Sequence, residues 1–195
     1  MKTIKINLAN ISKSEIDLIV DYLKRGLVVA YPTDTVYGLG GDAKNAVAIK
    51  RINKIKGAKG NKPLLVLISD YKMLRQYCFI SRDQEKYLSS IWPGPVTVIL
   101  KRRPILPDEL TGGQNGLAVR LPENNFLFKI ISQAGFPIVS TSLNKKGEKP
   151  LSEVKNLEKY FKHLPDLVVD AGILKGKPSR LVDIRDIKNI KVIRK

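Results

Sequence analysis

Apolar and polar residues along this chain recur with two periods, and the switches between them mark its elements. Thr3 to Leu8 alternates with period two and predicts a first strand. Ser12 and Glu15 then form a capping-box pair, Ile16, Ile19, Val20 and Leu23 fall on one helical face, and Gly26 closes the helix. The unbroken apolar run Leu27 to Tyr31 predicts a buried strand, stopped by Pro32, whose fixed φ and missing N–H end a ladder. Thr33, Asp34 and Thr35, followed by Gly38, Gly40 and Gly41, predict a loop whose glycines let backbone approach a ligand closely or turn tightly. Ala46, Ile49, Ile52 and Ile55 give the next helix, ending near Gly57, ahead of a strand from Leu64 to Ile68.

Residues 70 to 91 read as two helices, the second capped by Ser81. Two prolines around Gly94 make a rigid turn after Trp92, which reads as a packing anchor, and a strand follows from Val96 to Leu100. Thr111 to Gly116 is the most flexible-looking loop and leads to the strand Leu117 to Leu121. Phe126, Phe128, Ile130 and Ile131 build a helix that ends at Gly135, and a short strand from Pro137 to Ser140 follows. A helix over roughly Ser152 to Phe161 and a strand from Leu167 to Asp170 complete the pattern, with Ile190 to Lys195 at the end. Alternating strands and helices predict one α/β domain over residues 1–195.

Length and composition narrow the class. A chain of 195 residues suits one domain that buries about 70% of its unfolded surface. No apolar stretch approaches the ~20 residues of a membrane span, and the Lys-Thr-Ile-Lys-Ile start lacks the apolar core of a signal peptide, so the expectation is a cytoplasmic protein. The single cysteine, Cys78, excludes an internal disulfide and sits in an apolar context that reads as core. A formal charge of +17 welcomes anions, as a built patch or as scattered solvated lysines.

Candidate chemistry lies in three places. The segment Lys56 to Pro63 places Lys56, Lys59 and Lys62 on a Gly-containing backbone, the chemistry of a phosphate site or of a solvated lysine loop. Arg120 stands among apolar strand neighbours, so it needs a carboxylate partner or an anionic ligand. Ser142 and Asn144, at the end of a strand, suit phosphate and ribose oxygens or the capping of a turn. Other chemistries are excluded. One histidine, His163 beside Pro165, anchors no Ser-His-Asp triad, and no His/Cys cluster has zinc spacing. Gly38 to Ala43 fits a dinucleotide-binding spacing, but no acidic residue follows where that fold needs one.

Several of these stretches share a resemblance. Tyr31-Pro32-Thr33-Asp34-Thr35-Val36-Tyr37-Gly38-Leu39 resembles the signature of the YrdC-like family of threonylcarbamoyl-AMP synthases, and the likeness continues through Lys56-Gly57, Lys62-Pro63-Leu64, Trp92 to Thr97, Ala118-Val119-Arg120 and Ser140 to Asn144. It implies a single-domain, short-form α/β fold with an open, twisted, mixed β-sheet, flanking helices and a basic concave face. It also implies synthesis of L-threonylcarbamoyl-adenylate and pyrophosphate from L-threonine, bicarbonate and ATP. That product serves tRNA modification with partner proteins. The implied ATP-binding residues are Lys56, Lys59, Asn61, Ser142, Asn144 and Arg194, with Lys56 and Lys59 as the catalytic charges. Thr33, Thr35, Arg120, Ser140 and Ser179 are implied for threonine. Mg²⁺ would ride on ATP without side-chain ligands, and no redox or organic cofactor is implied.

The chain departs from the family pattern at Ala58, where the family carries arginine, at Leu143 and Lys146 in the Ser142 segment, and at Arg180, where it carries threonine. Two other readings remain: an RNA-binding module of the same fold without ATP turnover, and a carbamoyl-transfer domain like those of hydrogenase-maturation proteins.

Overall fold

The computed structural model of the chain describes residues 1–58 and 62–195. Its strands are β1 (Lys2–Lys5), β2 (Val29–Tyr31), β3 (Gly38–Asp42), β4 (Leu65–Leu67), β5 (Val96–Lys101), β6 (Gly116–Arg120), β7 (Ile138–Ser142), β8 (Leu167–Asp170), β9 (Arg180–Asp183) and β10 (Lys191–Arg194). Its helices are α1 (Lys13–Lys24), α2 (Ala46–Ile55), α3 (Tyr71–Tyr77), α4 (Arg82–Ser89), α5 (Asp108–Thr111), α6 (Asn125–Ala134) and α7 (Leu157–Tyr160). The described strands join in one open, mixed sheet of order β1-β8-β2-β3-β7-β4-β6-β5-β9-β10.

Local signals set the helices. Ser12 and Glu15 form the expected capping box on α1, and Ser81 with Gln84 forms another on α4. Asn45 accepts from the N–H groups of Val47 and Ala48 at the start of α2, whose Ala48, Ile49, Ile52 and Ile55 are buried. Cys78 is 1% exposed and Trp92 6%, both in the core as expected. Burial pushes the Cys78 thiol up to about 12.

Three expectations fail. The glycine run is strand rather than loop: Gly38–Asp42 lies between β2 and β7, antiparallel to both. Its glycines serve packing. A Cβ on Gly40 would stand 2.1 Å from the Val139 carbonyl and 2.9 Å from the Tyr31 ring, so only a bare backbone lets that ring lie across β3. The loop from Thr111 is tighter than it looks, because α5 ends there with Thr111 buried and Gly112 left-handed at φ 60°. The helix over Phe126 to Ile131 forms as expected and ends at Gly135, with Phe128 on its exposed side and Leu127, Ile130 and Ile131 in the core. The helix of residues 152–161 shrinks to Leu157–Tyr160, since the Ser152 carbonyl instead accepts from Leu174 N–H at 2.8 Å.

Pairing register decides which side chains share a face. Gly40 and Leu65 both face Ser140, Gly38 faces Ser142, Leu67 faces Arg120, and Leu181 faces Thr97. Gly41, one residue off Gly40, packs against Ala48 and Ile52 of α2, so α2 covers one face and the Gly38–Ser142 set lies on the other.

Candidate active site

That second face carries a cavity of about 280 Å³. Its floor is Gly38, Leu65, Leu67, Ser140 and Ser142, its walls include Arg120, Ser179 and Arg194, and its rim includes Thr33, Thr35 and Asn144. Eight residues singled out in the sequence thus meet in one place: Thr33, Thr35, Arg120, Ser140, Ser142, Asn144, Ser179 and Arg194. Lys59 and Asn61 lie outside the described residues.

Lys56 sits at the C-terminal end of α2 and reaches through to the cavity's edge. Its ammonium donates to the Ser142 carbonyl at 2.7 Å, the Asn144 carbonyl at 3.2 Å and Asn144 Oδ1 at 2.7 Å. Ser142 Oγ donates to the same Asn144 Oδ1 at 2.7 Å, and Asn144 Nδ2 donates to the Glu148 carbonyl at 2.6 Å. One amide therefore joins α2 to the turn after β7. No carboxylate stands among these partners of Lys56, and burial pulls its ammonium down to about 8.

Arg120, 4% exposed, is spoken for. Its Nε donates to the Gly94 carbonyl at 2.9 Å, one terminal nitrogen to Thr35 Oγ1 at 3.3 Å, and the other pairs with Asp34. The expectation that this charge needs a partner holds, and Asp34 is the partner. Burial raises the Asp34 carboxyl, with the Arg120 guanidinium pulling against it. Three of the five guanidinium N–H groups are used, so the rest can still face a ligand. Thr33 holds its own loop: its Oγ1 donates to the Val36 carbonyl at 2.6 Å and accepts from Thr35 N–H at 3.0 Å.

At the other wall, Arg194 Nε and Nη2 donate to the Ser179 carbonyl at 3.0 and 2.8 Å, and Ser179 Oγ meets Thr97 Oγ1 at 2.8 Å. Arg180 does not join them. It pairs with Val96 and alternates onto the face opposite Ser179 and Leu181.

Sequence reasoning missed Glu148 and gave Tyr37 no role, yet both line the cavity. The signal for Glu148 was a lone acid within Lys145-Lys146-Gly147-Glu148-Lys149. Tyr37 Oη donates to the Gly172 carbonyl at 2.7 Å and accepts from Ala171 N–H at 2.9 Å, pinning the connection between β8 and β9 over the site. That connection touches Thr35 where Gly176 has no side chain: a Cβ there would stand 1.7 Å from the Thr35 carbonyl. Gly176→Ala is expected to push the connection off Thr35 and cost about 1–3 kcal/mol, read as a lowered melting midpoint. An unchanged midpoint would show that this contact is not made in solution.

Comparison with known proteins places this cavity in context. Residues 21–195 match the protein-family model Sua5_yciO_yrdC, described as "Telomere recombination". A threonylcarbamoyl-AMP synthase of Thiobacillus denitrificans is 35% identical over 165 residues, 84% of this chain and 87% of that protein. A threonylcarbamoyl-AMP synthase of Pyrococcus abyssi is 30% identical over 187 residues, 94% of this chain, which spans only 55% of that longer relative. The crystal structure of P. abyssi Sua5 complexed with L-threonine superposes with a TM-score of 0.84 at 29% identity, covering 93% of this chain and 53% of the other.

Proposed function

The chain belongs to the Sua5/YciO/YrdC family, and from that membership we propose that it is a threonylcarbamoyl-AMP synthase, using L-threonine, bicarbonate and ATP and releasing pyrophosphate. The observation that carries this reading is the convergence of eight residues on one cavity with Lys56 at its edge. In this reading the adenylate end lies along Lys56, Ser142, Asn144 and Arg194, and threonine lies toward Thr33, Thr35, Arg120, Ser140 and Ser179. That a related Sua5 structure is complexed with L-threonine supports the second assignment.

The chemistry asks for little covalent work by the protein. The threonine amine attacks the carbon of bicarbonate, water leaves, and the resulting carbamate oxygen attacks the α-phosphorus of ATP. The bond from that phosphorus to the oxygen bridging the β-phosphate breaks, and pyrophosphate carries the electron pair away. Catalysis is then positioning plus stabilisation of charge on the phosphates. The cavity's donors are guanidinium, hydroxyl and amide groups with the Lys56 ammonium at its edge, and among the described residues no cluster of three or more His, Cys, Asp or Glu side chains gathers. Such a donor set suits Mg²⁺ that would arrive with the phosphate oxygens and would neutralise part of their charge.

Pyrophosphate release by the pure protein should require threonine and bicarbonate together, with other amino acids far less effective. Release that ignores threonine would sink the reading. RNA binding without any threonine-dependent turnover would favour the RNA-module alternative instead.

A further inference from the structure

One carboxylate lines a cavity whose other groups are hydroxyl, amide, guanidinium and apolar. Among the described residues that form its lining, Glu148 alone is acidic. Its side chain is held in place, because Tyr160 Oη, from α7, donates to Glu148 Oε2. The Lys145 ammonium stands over the Tyr160 ring, 4.7 Å from its centre, and among the described residues Glu148 enters no ion pair. In a chain of formal charge +17, a fixed carboxylate without a cation at a cavity's rim is set to accept from a ligand.

The backbone fixes which part of a ligand it meets. Glu148 N–H donates to the Lys145 carbonyl at 3.1 Å, and the Glu148 carbonyl accepts from Asn144 Nδ2 at 2.6 Å. Asn144 Oδ1 in turn accepts from the Lys56 ammonium and from Ser142 Oγ, each at 2.7 Å. The network therefore runs from a cation, through hydroxyl and amide, to a carboxylate. Phosphates belong at the Lys56 end. A carboxylate repels them, so the group it meets is a neutral donor joined to them. In a nucleotide that group is the ribose, whose adjacent 2′- and 3′-hydroxyls suit the several lone pairs of a carboxylate.

We infer that Glu148 accepts hydrogen bonds from the ribose hydroxyls of the bound nucleotide, with Tyr160 as the positioning residue for its carboxylate, and so makes the cavity selective for ribonucleotides over deoxyribonucleotides. The inference rests on the nucleotide reading of the cavity and names the side chain that selects the sugar. Tyr160 takes one lone pair of Oε2, which leaves Oε1 to the ligand.

The test is equilibrium binding of ATP, 2′-deoxy-ATP, 3′-deoxy-ATP and inosine triphosphate to the parent protein, Glu148→Ala, Glu148→Gln and Tyr160→Phe. Glu158→Ala, also an exposed acid, controls for one lost negative charge. The readout is the ratio of affinities, because removing the carboxylate also relieves repulsion of the phosphates and raises every affinity together. The parent should prefer ATP over each deoxy analogue on the order of tenfold, the worth of one hydrogen bond to a charged acceptor. Glu148→Ala should erase that preference, and Glu148→Gln should keep part of it, since the amide oxygen still accepts. Tyr160→Phe should fall between the parent and Glu148→Ala, and Glu158→Ala should match the parent. A parent that binds ATP and its deoxy analogues alike, or a preference untouched in Glu148→Ala, would overturn the assignment. So would a Glu148→Ala protein whose sugar preference stays while its preference for ATP over inosine triphosphate, or its Mg²⁺ requirement, changes: the carboxylate would then serve the base or the metal.

The sugar assignment and the proposed activity fail separately. A ribose preference that vanishes in Glu148→Ala, without threonine-dependent turnover by the parent, would keep the assignment and end the synthase reading. Threonine-dependent turnover with the same sugar preference in parent and Glu148→Ala would do the reverse. A parent protein that binds no ATP would overturn both.

Discussion

Arg120→Ala is expected to destabilise the fold by about 3–5 kcal/mol, the cost of leaving one member of a buried ion pair alone, and to show it as a lower denaturation midpoint before any selective loss of threonine. Arg120 is 4% exposed, and its guanidinium holds three things together: the turn at Gly94, the hydroxyl of Thr35 and the carboxylate of Asp34. Removing it strands Asp34 in a setting whose burial already disfavours its charge. It also frees the loop whose Thr33 and Thr35 line the cavity.

A double-mutant cycle separates the causes. Arg120→Ala with Asp34→Ala should cost less than the two single changes added, because the second removes the charge that the first left unpaired. Arg120→Lys should rescue only in part, since an ammonium cannot serve Gly94, Thr35 and Asp34 from one planar fork. A variant Arg120→Ala that melts like the parent yet loses threonine alone would reverse this view: the guanidinium would then be held for the substrate carboxylate, with Asp34 a stand-in that threonine displaces.

The Arg120 case shows what a sequence can and cannot convey. A charge among Leu117, Val119 and Leu121 announces that it needs a partner, because an unpaired buried charge is costly wherever it sits. Which partner depends on tertiary placement: β2, which leads into Asp34, and β6 are separated in the sheet by β3, β7 and β4. The capping box at Ser12 and the cap at Ser81 were legible because donor and acceptor lie three residues apart.

The glycine run misled for a related reason. Backbone freedom reads locally as a turn, but at Gly40 it serves a ring from the neighbouring strand and a carbonyl from β7. The expected helix after Ser152 failed likewise, because Leu174, a residue distant in sequence, takes the Ser152 carbonyl. The site residues were legible as a set through the family motifs, and the sheet register explains their convergence: Gly38, Ser140, Ser142, Leu67 and Arg120 are one face of four strands. The place of Glu148 at the cavity was not legible, since it depends on how the turn after β7 folds back on the end of α2.

Lys56→Met should lower the rate of threonine-dependent pyrophosphate release by about 2–4 kcal/mol of transition-state stabilisation, on the order of 10²-fold or more. All three N–H groups of this ammonium are used on the Ser142 and Asn144 carbonyls and on Asn144 Oδ1, so it both carries charge and fixes the amide that faces the cavity. The methionine keeps the stem and removes the charge. Its pH behaviour identifies the group. Burial holds Lys56 at about 8 in the folded protein against 10.5 as the ordinary value. Between these two pH values the unfolded chain binds more protons, so the parent should gain stability as pH rises from about 8 to about 10.5, by roughly 3 kcal/mol at most. Below pH 8 the buried charge is a constant cost, and Lys56→Met should lack the rise altogether. Bound phosphates favour the protonated form, so nucleotide binding near pH 8 should take up a fraction of a proton, visible in calorimetry across buffers of different ionisation enthalpy and missing in Lys56→Met. Rates within twofold of the parent at physiological salt, with proton uptake unchanged, would show that this ammonium only steers the nucleotide inward.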